Sequence, residues 1–441
     1  MNKKIIVFCL CVLLINISVN AKMIELSNVE NFTEGKIVKF NIINKAWMEE
    51  SNGVKILHLN GSFYEMGYQL GYFLKYEILR NLRGFGLLDT MQRNESFRLW
   101  NIQKNYTSLE IVDYIQGTAD AIGLSFDDVG CIWIWEKNCS LHCSSVIADG
   151  PATKSNEIIH VYSLDFPVRP EDPITGLCVL GDPVLIVAKP DKGYAFMYPT
   201  FAGYVVESGV NEKGISISNT ASPCKDENDY GAPVGIRVFE ALFHASNLEE
   251  AIDILNKNRT YGYDFLISDV NKNVGYVLEQ TANLSYIGIW NDTSESKRPF
   301  FQLDHILRRT NCFINPETAA TQRDYYNLKD LRYLLHFKFG SLYEWHRYRA
   351  ISRGYQKYVG DLDLNNALSL IRDVYLGKYG GVMWYVIKNT GLKDANSWYQ
   401  WSYSPKTGDM LICYASEDKV ASGNPIHHFN LFELLEEKPP N

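Results

Sequence analysis

No stretch of this 441-residue chain is dense in lysine and arginine, and acidic side chains outnumber basic ones by 51 to 43. That imbalance argues against nucleic acid as the main partner, because phosphate binding needs a concentrated cationic face. No CxxC pair is present, which removes the usual spacing of cysteine zinc sites. There is no GxSxG elbow for a serine hydrolase and no glycine-rich phosphate loop between a strand and a helix. Nothing after the first 21 residues is apolar for long enough to span a bilayer. No repeat and no low-complexity linker interrupts the chain, so one large domain is expected. Neither a metal nor an organic cofactor is indicated. With 13% aromatic and 21% charged residues, the composition is globular.

What is present begins with a secretory pattern. Lys3 and Lys4 precede an apolar run over 5–17, and Val19-Asn20-Ala21 offers cleavage positions, so residues 1–21 read as a signal peptide. A retained anchor is the alternative. The remaining chain would be exported, secreted or lumenal, with a net charge of about −10 and no stable membrane insertion. Seven cysteines remain: Cys131, Cys139, Cys143, Cys178, Cys224, Cys312 and Cys413. An odd number leaves at least one thiol outside internal disulfides. Cys131 and Cys139 are either a bridge or buried free thiols. Asn-x-Ser/Thr sequons stand at Asn31, Asn60, Asn94, Asn105, Asn138, Asn258, Asn283 and Asn291, which makes a glycoprotein if the host glycosylates exported chains.

Residues 63–83 read as one helix with Gly67, Gly71, Leu74 and Ile78 along a face. Two glycines four apart would let another element approach closely. Residues 106–121 read as a second helix ending near Gly123. From about 130 the pattern turns to strands, at 184–188 and 203–207, and Asn211-Glu212-Lys213-Gly214 turns into 215–219. Residues 247–256 form an amphipathic helix capped by Ser246 or Asn247. Segments 264–269 and 275–280 pair about Asn271-Lys272-Asn273. Helices return between 323 and 376, and 402–414 is a hairpin turning at Pro405-Lys406-Thr407-Gly408. This order predicts an α+β fold rather than a doubly wound parallel sheet.

The chemistry centres on Cys143-Ser144-Ser145. If this run pairs with Tyr162-Ser163-Leu164-Asp165 about the polar stretch 153–156, Asp165 lies directly across from Cys143. A cysteine that begins a strand can attack the carbonyl of His142 before it. The peptide bond becomes a thioester, water resolves it, and Cys143 is left with its own α-amine. That amine titrates near neutrality and can serve as base for the thiol. Cys143 is otherwise a buried small apolar residue, as most cysteines are. Asp165 either orients the amine or holds turn amides at a strand end. Asn219 either donates to an oxyanion or closes a loop. Arg347 and Arg349 diverge by roughly 200° on a helix, so at most one faces a pocket. Arg308-Arg309 reads as surface, Asn211 as turn chemistry, and His427-His428 as structural.

Several segments together resemble the acyl-CoA:6-aminopenicillanate acyltransferase family of autoproteolytic N-terminal-nucleophile cysteine hydrolases. The chain is similar more distantly to choloylglycine hydrolases, acid ceramidase-like amidases and phospholipase B-like proteins. Gly61-x-x-Tyr64-Glu65-x-Gly67-x-Gln69-x-Gly71 resembles the family's propeptide helix. Cys143-Ser144-Ser145, Ala152-Thr153-Lys154 and Leu164-Asp165 resemble its nucleophile hairpin. Asn211-Glu212-Lys213-Gly214-Ile215 resembles the motif before its oxyanion asparagine, and 279–283 and 308–311 resemble later segments.

The resemblance implies an αββα four-layer sandwich, cleaved before Cys143 into an N-terminal fragment 22–142 and a catalytic fragment 143–441 that stay associated. It implies Cys143, Asp165 and Asn219 as catalytic residues acting on a small N-acyl amide or lipid-like substrate. Tyr162, Arg349 and Arg347 would line the substrate site, with Arg349 preferred over Arg347. Many relatives carry arginine where this chain has Tyr162, which removes a fixed cation. A phospholipase B-like lipid hydrolase and an inactive secreted glycoprotein are the alternatives.

Overall fold

A computed structural model describes residues 41–88, 91–138, 143–166, 168–297, 299–323, 339–389 and 396–439. Contacts divide the chain into 1–45 and 46–441. Only a helical turn at 41–45 is described in the first unit, so the signal peptide expected at 1–21 lies outside the described residues. The account below concerns the second unit.

Alternating sequences build two sheets. In the stretch 215–221, isoleucine alternates with serine and threonine, and each set lines one face of a strand. The first sheet has nine strands in the order β1 (Trp47–Ser51), β2 (Val54–Gly61), β5 (Pro183–Pro190), β6 (Phe196–Phe201), β7 (Ser208–Asn211), β8 (Ile215–Ala221), β9 (Tyr263–Asp269), β10 (Val274–Gln280) and β11 (Ser285–Gly288). The second has six, in the order β12 (Ile306–Arg309), β3 (Ser144–Ala148), β4 (Ile159–Phe166), β13 (Asn396–Tyr403), β14 (Asp409–Tyr414) and β15 (His427–Asn430). β2 runs parallel to β5, and the neighbouring pairs elsewhere are antiparallel. Asn52 and Gly53 both have positive φ, the geometry an Asn-Gly hairpin between β1 and β2 requires.

The two sheets pack face to face through β3 against β8 and β9, and β12 against β9 and β10. Helices Val234–His244 and Leu248–Leu255 cover the first sheet, and Phe339–Gln356 and Leu364–Tyr375 cover the second. The order is helix, sheet, sheet, helix: an α+β sandwich with four layers. Residues 46–138 are not a detachable prelude. They supply β1 and β2 to the nine-stranded sheet, with the Phe63–Phe73 helix on β2 and β5.

That helix also lies very close to Leu109–Ile122. A Cβ on Gly67 would sit 1.9 Å from the Tyr114 carbonyl oxygen, and one on Gly117 would sit 2.1 Å from that of Tyr64. The expected close approach is present, and glycine makes it possible. The single helix expected over 63–83 is instead two, Phe63–Phe73 and Lys75–Gly84, because Leu74 leaves helical geometry at φ −119° and ψ 23°. Leu74 is fully buried there. Residues 203–207 are not a strand but the turn between β6 and β7. Part of the expected helical region, 324–338, lies outside the described residues. Among the described residues no helix is long and apolar enough to cross a membrane.

Candidate functional site around Cys143

The register of β3 on β4 decides the site. Ser144 pairs with Ser163 and Ser145 with Tyr162, so the hairpin is offset by one residue from the symmetric pairing expected, and Asp165 does not face Cys143. A one-residue slip reverses which side chains share a face. Tyr162 therefore turns inward between the sheets, against Tyr399 and Trp401. Asp165 turns outward toward the helix Leu364–Tyr375, where it accepts from Ser163 Oγ at 2.8 Å and from the Tyr375 hydroxyl. Ser144 and Tyr375 are linked by a hydroxyl hydrogen bond of 2.9 Å on the same side.

Cys143 is fully buried immediately before β3. The main-chain N–H of Asp165 and the hydroxyl of Tyr162 bear on its sulfur. That hydroxyl has no other hydrogen-bond partner among the described residues. Burial, reinforced by the neighbouring Asp165 carboxylate, holds the thiol far above its ordinary range. Cys143 is therefore a thiol, not a thiolate. Burial also pushes the Asp165 carboxyl up to about 7, against the opposing pull of Arg347 and the Tyr375 and Ser163 hydroxyls.

Glu207, which the sequence did not single out as functional, is the third polar group near the thiol. It is fully buried at the entrance to β7. Its carboxylate accepts from the Tyr204 hydroxyl at 2.7 Å and from Asn219 Nδ2 at 3.0 Å. Among the described residues no cation pairs with it. The sequence signal was slight, an acidic residue ending the apolar run Tyr204-Val205-Val206. Asn219, on β8, donates its second N–H to the Glu207 carbonyl at 2.9 Å. Both amide donors are therefore engaged, and Asn219 Oδ1 is a buried acceptor with no donor among the described residues. An oxyanion-binding role requires that amide to be released from Glu207.

Arg347 is the arginine that reaches the site, contrary to the preference for Arg349. It is fully buried, 3.9 Å from Asp165 Oδ2 and 3.5 Å from the Tyr375 hydroxyl, and it donates to Glu344 and Asn311. Arg349 is half-buried two positions on, on the His346 side of the helix. Arg308 and Arg309 are not surface residues as expected. Both are buried, and Arg309 lies 2.9 Å from Glu279 and 2.7 Å from Glu295, so a charge cluster joins β12 to β10. His428 contacts Asp409 on the surface at 2.9 Å, in keeping with a structural role. Cys131 is a buried free thiol, and Cys139 and His142 lie outside the described residues.

A polar seam holds β3 and β4 against β8, the strand of Asn219. His160 of β4 contacts Ser216 Oγ at 2.7 Å and Ser218 Oγ at 2.8 Å, and Ser218 meets Ser145 of β3 at 2.6 Å. Burial drives the His160 pKa down to about 3, so the imidazole is neutral. A small apolar cavity of about 30 Å³ adjoins Tyr204 and Val206 under the N-terminal helices.

No protein-family model matches the chain, and no curated protein does. Solved structures give looser similarities. A mutant of conjugated bile acid hydrolase from Clostridium perfringens is 14% identical, with a TM-score of 0.39 over 66% of this chain and 93% of that one. Penicillin V acylase from Agrobacterium tumefaciens is 14% identical, with a TM-score of 0.41 over 66% and 87%. Another variant of the bile acid hydrolase is 13% identical, with a TM-score of 0.38 over 65% and 97%.

Proposed function

We propose that this chain is an exported amide hydrolase or acyltransferase whose nucleophile, Cys143, is freed by self-cleavage after His142. One observation carries the proposal: the Glu207 carboxylate is buried near residue 143 with no cation paired to it among the described residues. Asp165 and Glu207 are buried beside it, Arg347 is shared with Glu344, and Asn219 Oδ1 lacks a donor. An α-ammonium at position 143 would bring a positive charge and three N–H donors to that place. In the uncut chain the same nitrogen is a neutral peptide N–H.

The chemistry follows in two stages. In processing, the Cys143 sulfur attacks the carbonyl carbon of residue 142, the C–N bond breaks, and the nitrogen takes a proton. Water then cleaves the thioester, giving a carboxylate at 142 and a free amine and thiol at 143. In turnover, the amine takes the thiol proton and the thiolate attacks the acyl carbon of an N-acyl amide. The leaving amine takes that proton, and the thioester passes to water or to an acceptor amine. Asp165 would position the α-amine. Asn219 would supply an oxyanion donor once the ammonium competes for Glu207. The Tyr162, Tyr399 and Trp401 rings favour an apolar acyl group over one bearing a carboxylate.

A second reading, a secreted protein that keeps the fold without the reaction, draws on Asn219, whose donors are both engaged, and on Tyr162 in place of an arginine. Secretory expression followed by fragment masses and N-terminal sequencing separates the two. A fragment beginning at Cys143, absent in Cys143→Ala, is expected. A folded single chain that never cleaves would overturn the proposal and leave the inactive reading standing.

A further inference from the structure

Far along the nine-stranded sheet from Cys143, three separate segments bring metal-ligating side chains to one point. His58 lies on β2, Glu49 on the edge strand β1, and Glu437 just beyond the helix Leu431–Glu436. His58 is only 3% exposed, and its ring stacks on Trp47 at 4.2 Å and 9°, which fixes the plane of the imidazole. Its Nε2 sits 3.2 Å from Glu49 Oε1 and 3.4 Å from Glu437 Oε2, and all three ligand atoms lie within 4.8 Å of one another. Tetrahedral zinc with bonds of about 2.0–2.1 Å spaces neighbouring ligand atoms at about 3.3 Å. The two separations from His58 match that spacing.

We infer that Glu49, His58 and Glu437 form a binding site for a divalent ion of the zinc class, with a fourth position open to water. One imidazole and two carboxylates are a donor set that such an ion accepts. The nearby charges suit a cation: Glu433 adds a further carboxylate beside Glu437. Lys189, which acts electrostatically on His58, has its ammonium engaged by the Leu435 carbonyl. The ion would tie the C-terminal segment to the β1–β2 hairpin. If the chain is cleaved before Cys143, a consequence that rests on the function proposed above, Glu49 and His58 belong to one fragment and Glu437 to the other. The ion would then be a clip between them.

The test is zinc binding to tag-free, chelator-treated full-length protein, followed by calorimetry and by the melting midpoint with and without zinc. One equivalent per chain is expected, with affinity at least tenfold weaker in Glu437→Gln and in Glu49→Gln and no zinc-dependent rise in their melting midpoints. Both glutamates are partly exposed, so these variants fold even if His58→Ala does not. Repeating the measurement in Cys143→Ala separates metal binding from processing, since the site needs no cleavage. Absence of saturable zinc binding would overturn the inference, as would isotherms for the glutamate variants that superimpose on the wild type.

Discussion

An uncut chain in which Asp165 is replaced by asparagine should lose a specific part of its pH dependence. The comparison uses Cys143→Ala as background, so that no cleavage intervenes. Burial raises the Asp165 carboxyl from the ordinary 3.8 to about 7. An acid whose folded pKa is raised gives stability that is complete below its unfolded value and is lost as the pH rises through the folded value. Each unit corresponds to about 1.4 kcal/mol, so between pH 5 and 8 the aspartate chain should lose about 3 kcal/mol that the asparagine chain keeps. Asparagine also mismatches one of the Ser163 and Tyr375 donors, costing about 1 kcal/mol at every pH. That offset shifts the curve without tilting it. With an unfolding entropy near 2.1 cal/mol/K per residue, the differential change in melting midpoint is about 3 °C. Thermal melts of the two variants across pH 5–8 make the measurement. Parallel curves would refute the claim that burial outweighs the pull of Arg347 on the Asp165 carboxyl, and with it the case for a compensating ammonium at residue 143.

Other substitutions test separate parts of the structure. Gly67→Ala forces a Cβ into the Tyr114 carbonyl and should destabilise by about 1–3 kcal/mol or more, whereas Gly423→Ala, which meets nothing within 4 Å, should change the melting midpoint little. Arg347→Leu removes one partner from a buried charge network and should cost about 3–5 kcal/mol, while Arg349→Leu should stay within about 0.5 kcal/mol by denaturant titration. Equal effects would undo the assignment of Arg347 to the site. His160, its pKa lowered to about 3, should show no imidazole titration by NMR between pH 5 and 8. Because its folded pKa is lowered, its contribution to stability is present above about 6.5 and is lost as the pH falls toward 3.

The site also explains why the thiol at position 143 is chemically quiet in the intact chain. Low polarity holds the proton on sulfur, and the nearest carboxyl opposes its loss. A mature form with a protonated α-amine would reverse that balance without moving the strand. The His160 seam keeps β3 and β8 at fixed spacing through direct hydroxyl and imidazole contacts, so Cys143 and Asn219 are held on one rigid frame.

What the chain determines by itself is local, because the interacting groups are only a few residues apart. Asn247 caps its helix by accepting from the Glu250 N–H at 3.0 Å. Asn211 Oδ1 accepts from the Lys213 and Ile215 N–H groups and so fixes the turn before β8. The alternation in 215–221 assigns serine to one face and isoleucine to the other wherever that strand is placed. Even the glycines of 63–73 announce a close neighbour, since a missing Cβ has few other uses on a helix face. Which neighbour comes close, and in which register, is a property of the whole. The one-residue offset between β3 and β4 sends Asp165 to the helical side, where it meets Tyr375, 210 positions away. Arg347 rather than Arg349 is drawn inward because Asn311 and Glu344 wait there. Arg309 is buried because Glu279 and Glu295 neutralise it. A buried charge is tolerable only where partners converge, and tertiary packing alone brings groups from distant segments to one point.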